Sequence, residues 1–158
     1  MVTIKQENQV GQSVRILLIG NNPIEMSSLL EVIAQVPGRN IITETAFDIK
    51  SIVSRLLNFE PTFILIDDNI GKQELGLTVK SLTQNLKTRN VPITLIKNSN
   101  YSEALVSADI LDFLLKKNLT TESLYNTIKN TLKFRRTRQF LSEAYDKRKG
   151  FLMRLANS

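Results

Sequence analysis

Two periodicities alternate along this chain. Short apolar runs occur at Val14–Ile19, Asn40–Thr45, Thr62–Ile66, Pro92–Ile96 and Leu111–Leu115. Runs this short, apolar and rich in strand-favouring residues predict strands buried on both faces. Between them, apolar residues recur at helical spacing. Ile24, Leu29, Leu30, Ile33 and Val36 outline one helix, Ile49, Ile52, Val53 and Leu56 a second, and Leu75, Val79, Leu82 and Leu86 a third. Pro23 suits a first helical turn. A short, poorly defined helix is expected over Tyr101–Val106. A last helix begins near Thr120 or Thr121, either of which can cap it, and Glu122 is favourable near the positive end of its dipole. The order βαβαβαβαβα predicts an α/β fold. Its core would be a doubly wound, five-stranded parallel sheet with helices on both faces and right-handed crossovers.

The last helix is longer than such a domain needs. Leu124, Ile128 and Leu132 can pack on the sheet, but beyond Phe134 the chain turns charged and stays free of proline. Phe134, Leu141, Tyr145, Leu152 and Leu155 follow a heptad a/d pattern, interrupted by Thr131, Arg138 and Arg148. Gly150 costs about 1 kcal/mol in a helix interior, so the end is expected to bend or fray. The chain is therefore divided into a flexible N-terminal segment (1–13), a folded domain (14–133) and a basic helical extension (134–158). The extension reads first as a linker helix and second as a dimerisation helix. Contact with nucleic acid or an acidic membrane ranks third, and no membrane insertion is expected.

Composition narrows the chemistry. A chain of 158 residues with 42% apolar content is long enough for one domain with a real core. There is no cysteine and no histidine. That removes thiol and Ser-His nucleophiles, disulfides and the usual zinc sites. The N-terminus lacks a signal-peptide core, and no apolar stretch approaches membrane-spanning length, so a cytoplasmic protein is the expectation. The net charge of +6 is unevenly placed. Residues 129–158 hold nine Lys and Arg against two acidic residues, whereas residues 1–128 hold twelve against thirteen. The basic character belongs to the tail.

Chemistry concentrates at Phe63–Asp68, where an apolar strand ends in Asp67 and Asp68. Carboxylates at the carboxyl end of a parallel strand sit where such sheets bind their ligands. Asp67 is the focus, although two Asp residues opening a turn would look the same. A nucleotide- or flavin-binding enzyme is the rival class. Gly20, however, is followed by Asn-Asn-Pro rather than a glycine-rich turn, and there is no P-loop. No catalytic activity is expected of these residues, and any domain following residue 158 is left open.

Several segments together resemble the receiver domain of two-component response regulators, over roughly residues 14–133. Arg15–Pro23 matches the family's first strand and acidic loop. Pro61–Asp67 matches the strand bearing the phosphoacceptor Asp, and Val91–Ile96 matches the fourth strand. Ala108–Lys116 matches the segment ending in the family's Lys, and Gly76 fits the Gly of the loop after the acceptor. The resemblance implies a flavodoxin-like strand order, 2-1-3-4-5, with Asp67 as phosphoacceptor candidate, Lys116 beside it and Phe113 at the aromatic switch position.

The site departs from that family more than the fold does. The two acidic positions that hold Mg²⁺ in the family read Gly20 and Asn21 here. The hydroxyl residue after the fourth strand aligns with Lys97, and the Pro after the conserved Lys is Lys117. Asn22 or Asp68 could add an oxygen, but neither restores two anions. Lys97 is expected to take the metal's place against Asp67; the alternative is that it points into solvent over an inert pocket. No cofactor is expected, and Mg²⁺ at Asp67 is disfavoured. The first functional reading is an atypical "pseudo-receiver" that signals to an output domain or partner without Mg²⁺-dependent phosphorylation. A genuine receiver phosphorylated on Asp67 by a histidine kinase comes second. Phe151–Ser158 resembles the stretch just before a diguanylate cyclase domain, which such a receiver could control. A regulator binding nucleic acid through its basic tail comes third.

Overall fold

Five strands form one parallel sheet in the order β2-β1-β3-β4-β5. They are β1 (Val14–Ile19), β2 (Ile41–Ala46), β3 (Phe63–Asp67), β4 (Ile93–Lys97) and β5 (Ile110–Leu115). The computed structural model describes residues 13–38, 40–98 and 110–156. Its helices are α1 (Pro23–Ala34), α2 (Ile49–Leu56), α3 (Lys72–Gln84) and α4 (Thr121–Ala156). The helix expected over Tyr101–Val106 lies outside the described residues. The doubly wound sheet, its strand order and the long final helix agree with the sequence reading. Strands β2, β3 and β4 are each displaced one residue towards the C-terminus, which places Asp67 and Lys97 inside strands rather than after them.

Side chains alternate across a strand, so each apolar run supplies two cores. Leu17, Ile19, Ile64, Ile66 and Leu95 pack with Ile52 and Leu56 of α2 and with Leu75, Val79 and Leu82 of α3. Ile16, Leu18, Phe63, Leu65 and Ile96 pack on the opposite face with Met26, Leu29 and Ile33 of α1 and with Leu124 and Ile128 of α4. This explains why the strands read as continuous apolar runs. The helical faces differ in detail from expectation. Ile24 is 80% exposed, while Met26 takes the buried place in its turn, because Met26, Leu29 and Ile33 share the face that Ile24 lies behind. Leu86 lies beyond the end of α3 and is also exposed.

Local chemistry sets the helix starts. The Asn22 side chain accepts from the backbone N–H groups of Ile24 and Glu25 and caps α1. Asp48 and Ser51 form a reciprocal capping box at α2. Thr120 Oγ1 accepts from Ser123 N–H, and Ser123 Oγ accepts from Thr120 N–H, ahead of α4. Gly71, at φ +93°, makes the turn into α3, a backbone region costly for other residues. Gly76 lies within α3, so the loop glycine assigned there from the sequence is in fact Gly71.

Helix α4 has 36 residues, or about 54 Å at 1.5 Å per residue. Its opening turns pack on the sheet through Leu124, Ile128 and Thr131, and from Phe134 onward its described large apolar side chains are exposed. It continues through Gly150 without a break. Among the described residues, no helix is long and apolar enough to cross a membrane.

The core assignment predicts that Phe63→Ala, at a fully buried position, lowers folding stability by about 3–5 kcal/mol in urea denaturation. Leu86→Ala, at an exposed position, should change it by less than about 0.5 kcal/mol. Equal effects would refute this partition.

Candidate functional site at the carboxyl edge of the sheet

Parallel strands bring their C-terminal ends to one edge, and the loops that follow them meet there. Asp67 closes β3, pairs in register with Ile96 of β4 and is 1% exposed. A buried carboxylate needs partners for both oxygens. Its Oδ2 accepts from Lys116 Nζ at 2.7 Å. Its Oδ1 accepts from Asn98 Nδ2 at 3.0 Å and from the backbone N–H of Asn69 at 3.1 Å. Lys116 follows β5 directly, and Asn98 follows β4, so three strand ends converge on one carboxylate.

The Lys116 ammonium has three donors and three oxygens around it. Besides Asp67 it contacts Glu25 Oε2 at 2.8 Å and donates to Asn98 Oδ1 at 3.1 Å. Glu25 lies in the first turn of α1 and also accepts from the Asn69 side-chain amide. Asp68 Oδ1 accepts from the Asn98 backbone N–H at 3.1 Å and from the Asn98 side-chain amide. Asn98 thus links Asp67, Asp68 and Lys116 while adding no charge.

The charges reinforce one another. Partial burial pulls the Lys116 ammonium towards lower pKa, but its hydrogen bonds to Asp67 and Glu25 outweigh this and leave its pKa above 10.5. Hydrogen bonds from Lys116, then from Asn69, hold the Glu25 carboxyl below its ordinary 4.5.

Of the residues singled out from the sequence, the structure brings Asp67, Lys116 and Asp68 together. Lys97 departs from expectation. Its ammonium lies over the Phe113 ring, 4.5 Å from the centroid, and among the described residues it forms no ion pair with Asp67. The charge expected from Lys97 comes from Lys116. The contact expected at the aligned hydroxyl position comes from Asn98, one residue later. Phe113 is half-buried and packs against the core face shared with α2 and α3. Asn21 is exposed, and the Asn22 oxygen is committed to capping α1. Gly20 is buried, and a Cβ there would lie 3.1 Å from Met26 Cγ and 3.5 Å from Asp67 Cβ. A side chain at position 20 would therefore press on Met26. The extension residues Phe134, Leu141, Tyr145, Leu152 and Leu155 lie on α4, far along the chain from this site.

Glu25, Asn69 and Asn98 were missed. Glu25 reads from the sequence as an ordinary acidic residue in a helix's first turn. Asn98 carried a signal only in standing next to the aligned position.

The receiver resemblance implies Mg²⁺, and the donor set does not fit it. Hard divalent ions of this kind take carboxylate oxygens with room for water. Here the carboxylates of Asp67 and Glu25 converge on an ammonium. Among the described residues, no three acidic, histidine or cysteine side chains are placed to hold a metal.

Two tests follow. Lys116→Met should lower stability by about 2–4 kcal/mol at neutral pH, because it strands a buried carboxylate. Adding Asp67→Asn should restore at least half of that loss in urea denaturation; strict additivity would show that the two side chains are not coupled. The pH dependence has two limbs. The Lys116 pKa is raised, so its contribution is present below about pH 10.5 and is lost as pH climbs through the raised value. The Glu25 pKa is lowered, so its contribution is present above about pH 4.5 and is lost as pH falls through the lowered value. Melting temperature should be flat between these limits, and Glu25→Gln should flatten the acid limb.

No family model and no curated protein sequence matches this chain. Solved structures do. It superposes on the chemotaxis response regulator CheY4 of Vibrio cholerae with TM-score 0.62 and 15% identity, covering 76% of this chain and 99% of that one. A response regulator from Desulfuromonas acetoxidans gives TM-score 0.63 and 19% identity over 77% of this chain and 98% of that one. The receiver domain of a sensor histidine kinase, PA1611 from Pseudomonas aeruginosa PAO1, solved with magnesium coordinated in its active-site cleft, gives TM-score 0.60 and 16% identity. The match covers 77% of this chain and 99% of that domain. The chain has the fold of the response-regulator receiver domains.

Proposed function

We propose that this chain is an atypical receiver domain of a two-component response regulator, one that works without Mg²⁺-dependent phosphorylation. It would be a non-catalytic module whose conformation is read by an output domain or a signalling partner. The observation that carries this reading is the state of Asp67. It is 1% exposed, and both its oxygens are occupied by donors of the same chain. Phosphoryl transfer relies on positioning and on offsetting charge at the transferring group. Each Asp67 oxygen already faces a donor of the chain, with three of about four lone-pair sites filled, and the cationic charge beside it is already shared with Glu25. The Pseudomonas receiver holds a magnesium ion in its cleft; here a tethered ammonium sits between the carboxylates. The module then acts through what its surface binds, with α4 as the element that leaves the domain.

Exposure to acetyl phosphate or beryllofluoride with Mg²⁺ should leave the intact mass and the spectra of the protein unchanged. Asp67→Asn should keep the partner interactions of the parent. A stoichiometric, Mg²⁺-dependent adduct on Asp67 would establish ordinary phosphoacceptor function instead.

A further inference from the structure

The exposed part of α4 carries an apolar stripe that, among the described residues, lies outside both core clusters. Phe134, Leu141, Tyr145 and Leu152 are 51–66% exposed, and Leu155 continues their line. At 100° per residue these five fall within about 80° of the helix circumference, and Phe140 and Phe151 flank them on one side. Counted with the polar positions 138 and 148 that fall between them, the seam recurs every 3.5 residues, the repeat that keeps it facing a partner helix over several turns. The stripe runs about 33 Å, or three heptads.

We propose that this segment pairs with the same segment of a second copy of the chain, and that the dimer is held weak by its own charge. Half-exposed side chains of this size hide roughly 100 Å² each when covered. The stripe and its flanks on two copies then bury on the order of 1,000–1,400 Å², at the lower edge of what a stable interface needs. Charge acts against the pairing. Residues 133–156 carry eight Lys and Arg against two acidic residues. Arg148 falls on the seam itself, where a polar residue lowers coiled-coil stability. Self-association should therefore tighten as salt screens the repulsion. Binding of an acidic membrane or nucleic acid by the same helix would weaken with salt.

This reading is independent of how Asp67 is used. Sedimentation of the 158-residue chain at about 50 mM and about 500 mM NaCl separates the outcomes. A monomer–dimer equilibrium that is at least several-fold tighter at the higher salt is expected. Arg148→Leu should tighten it about tenfold or more at low salt, and Leu141→Glu should weaken it by at least as much. Both positions are exposed, so circular dichroism should match the parent. A monomer at all concentrations and salts, or Leu141→Glu associating like the parent, overturns the proposal. So does association confined to phosphatidylglycerol vesicles or duplex DNA and lost at high salt.

Discussion

The ion pair between Lys116 and Asp67 is the constraint around which the carboxyl edge of the sheet is built. A carboxylate at 1% exposure is tolerable only with its charge offset and its lone pairs filled. One ammonium supplies the charge, and two asparagines supply the remaining hydrogen bonds. The same ammonium reaches Glu25, so β3, β5 and the start of α1 are fastened at one point, with Asn98 tying in the end of β4. A site with three convergent carboxylates needs a divalent cation to offset them. This one shares a single tethered cation between two carboxylates and leaves Asp68 to neutral and backbone donors. Gly20 belongs to the same economy of space, since a Cβ there would crowd the Met26 side chain in the core that α1 forms against the sheet.

Most of the fold was legible because burial on both faces imposes a signal that survives without structural context. Five apolar runs were enough to place five strands, and the alternation with helices set their direction. The boundaries were less legible, since hydrophobicity ends before hydrogen bonding does: Asp67 and Lys97 still belong to the sheet ladder. Asp67 could be found because it sits where an apolar run stops, and Lys116 because the segment that ends in it resembles the family's. Lys97 could not be placed, because linear position does not say which of two successive residues turns inward as a strand ends. Lys97, in register with Leu115, lays its charge on the Phe113 ring. Asn98, just beyond the ladder, turns onto Asp67 and Asp68. Glu25 was hidden for a different reason: its role depends on how close α1 lies to the end of β5, which is a tertiary fact.

The contact between Lys97 and Phe113 completes the electrostatic picture. An ammonium over an aromatic face is stabilised by the ring quadrupole without any anion. The second lysine near the site is therefore accommodated without drawing on Asp67, whose oxygens are already taken. Phe113 has no hydroxyl in need of a partner, so its ring can stay half-buried against the core with the Lys97 ammonium over its face. The ring then has two attachments, one to the core and one to a residue that immediately precedes Asn98. A change in the hydrogen bonds of Asn98 would pull on the backbone that carries Lys97.

Connection to the long helix is short. Lys116 is followed by one tight turn and the Thr120–Ser123 capping pair before α4 begins. The opening turns of α4 share a core with α1, through Leu124 and Ile128 against the face that includes Met26 and Leu29. Thr121 also reaches Gln35, just past the end of α1. Two of the elements bound by Lys116, α1 through Glu25 and β5 through its own backbone, are thus the two that seat the base of α4. Any event that separates Lys116 from Glu25 acts on both supports of that helix at once. About 33 Å of exposed helix lies beyond them, so a small tilt at the base becomes a larger displacement at the far end. On the reading proposed above, a receiver fold whose carboxylate pairs with an ammonium of its own chain can still carry a signal, provided the input moves Lys116 relative to Glu25 and the output is read from the helix.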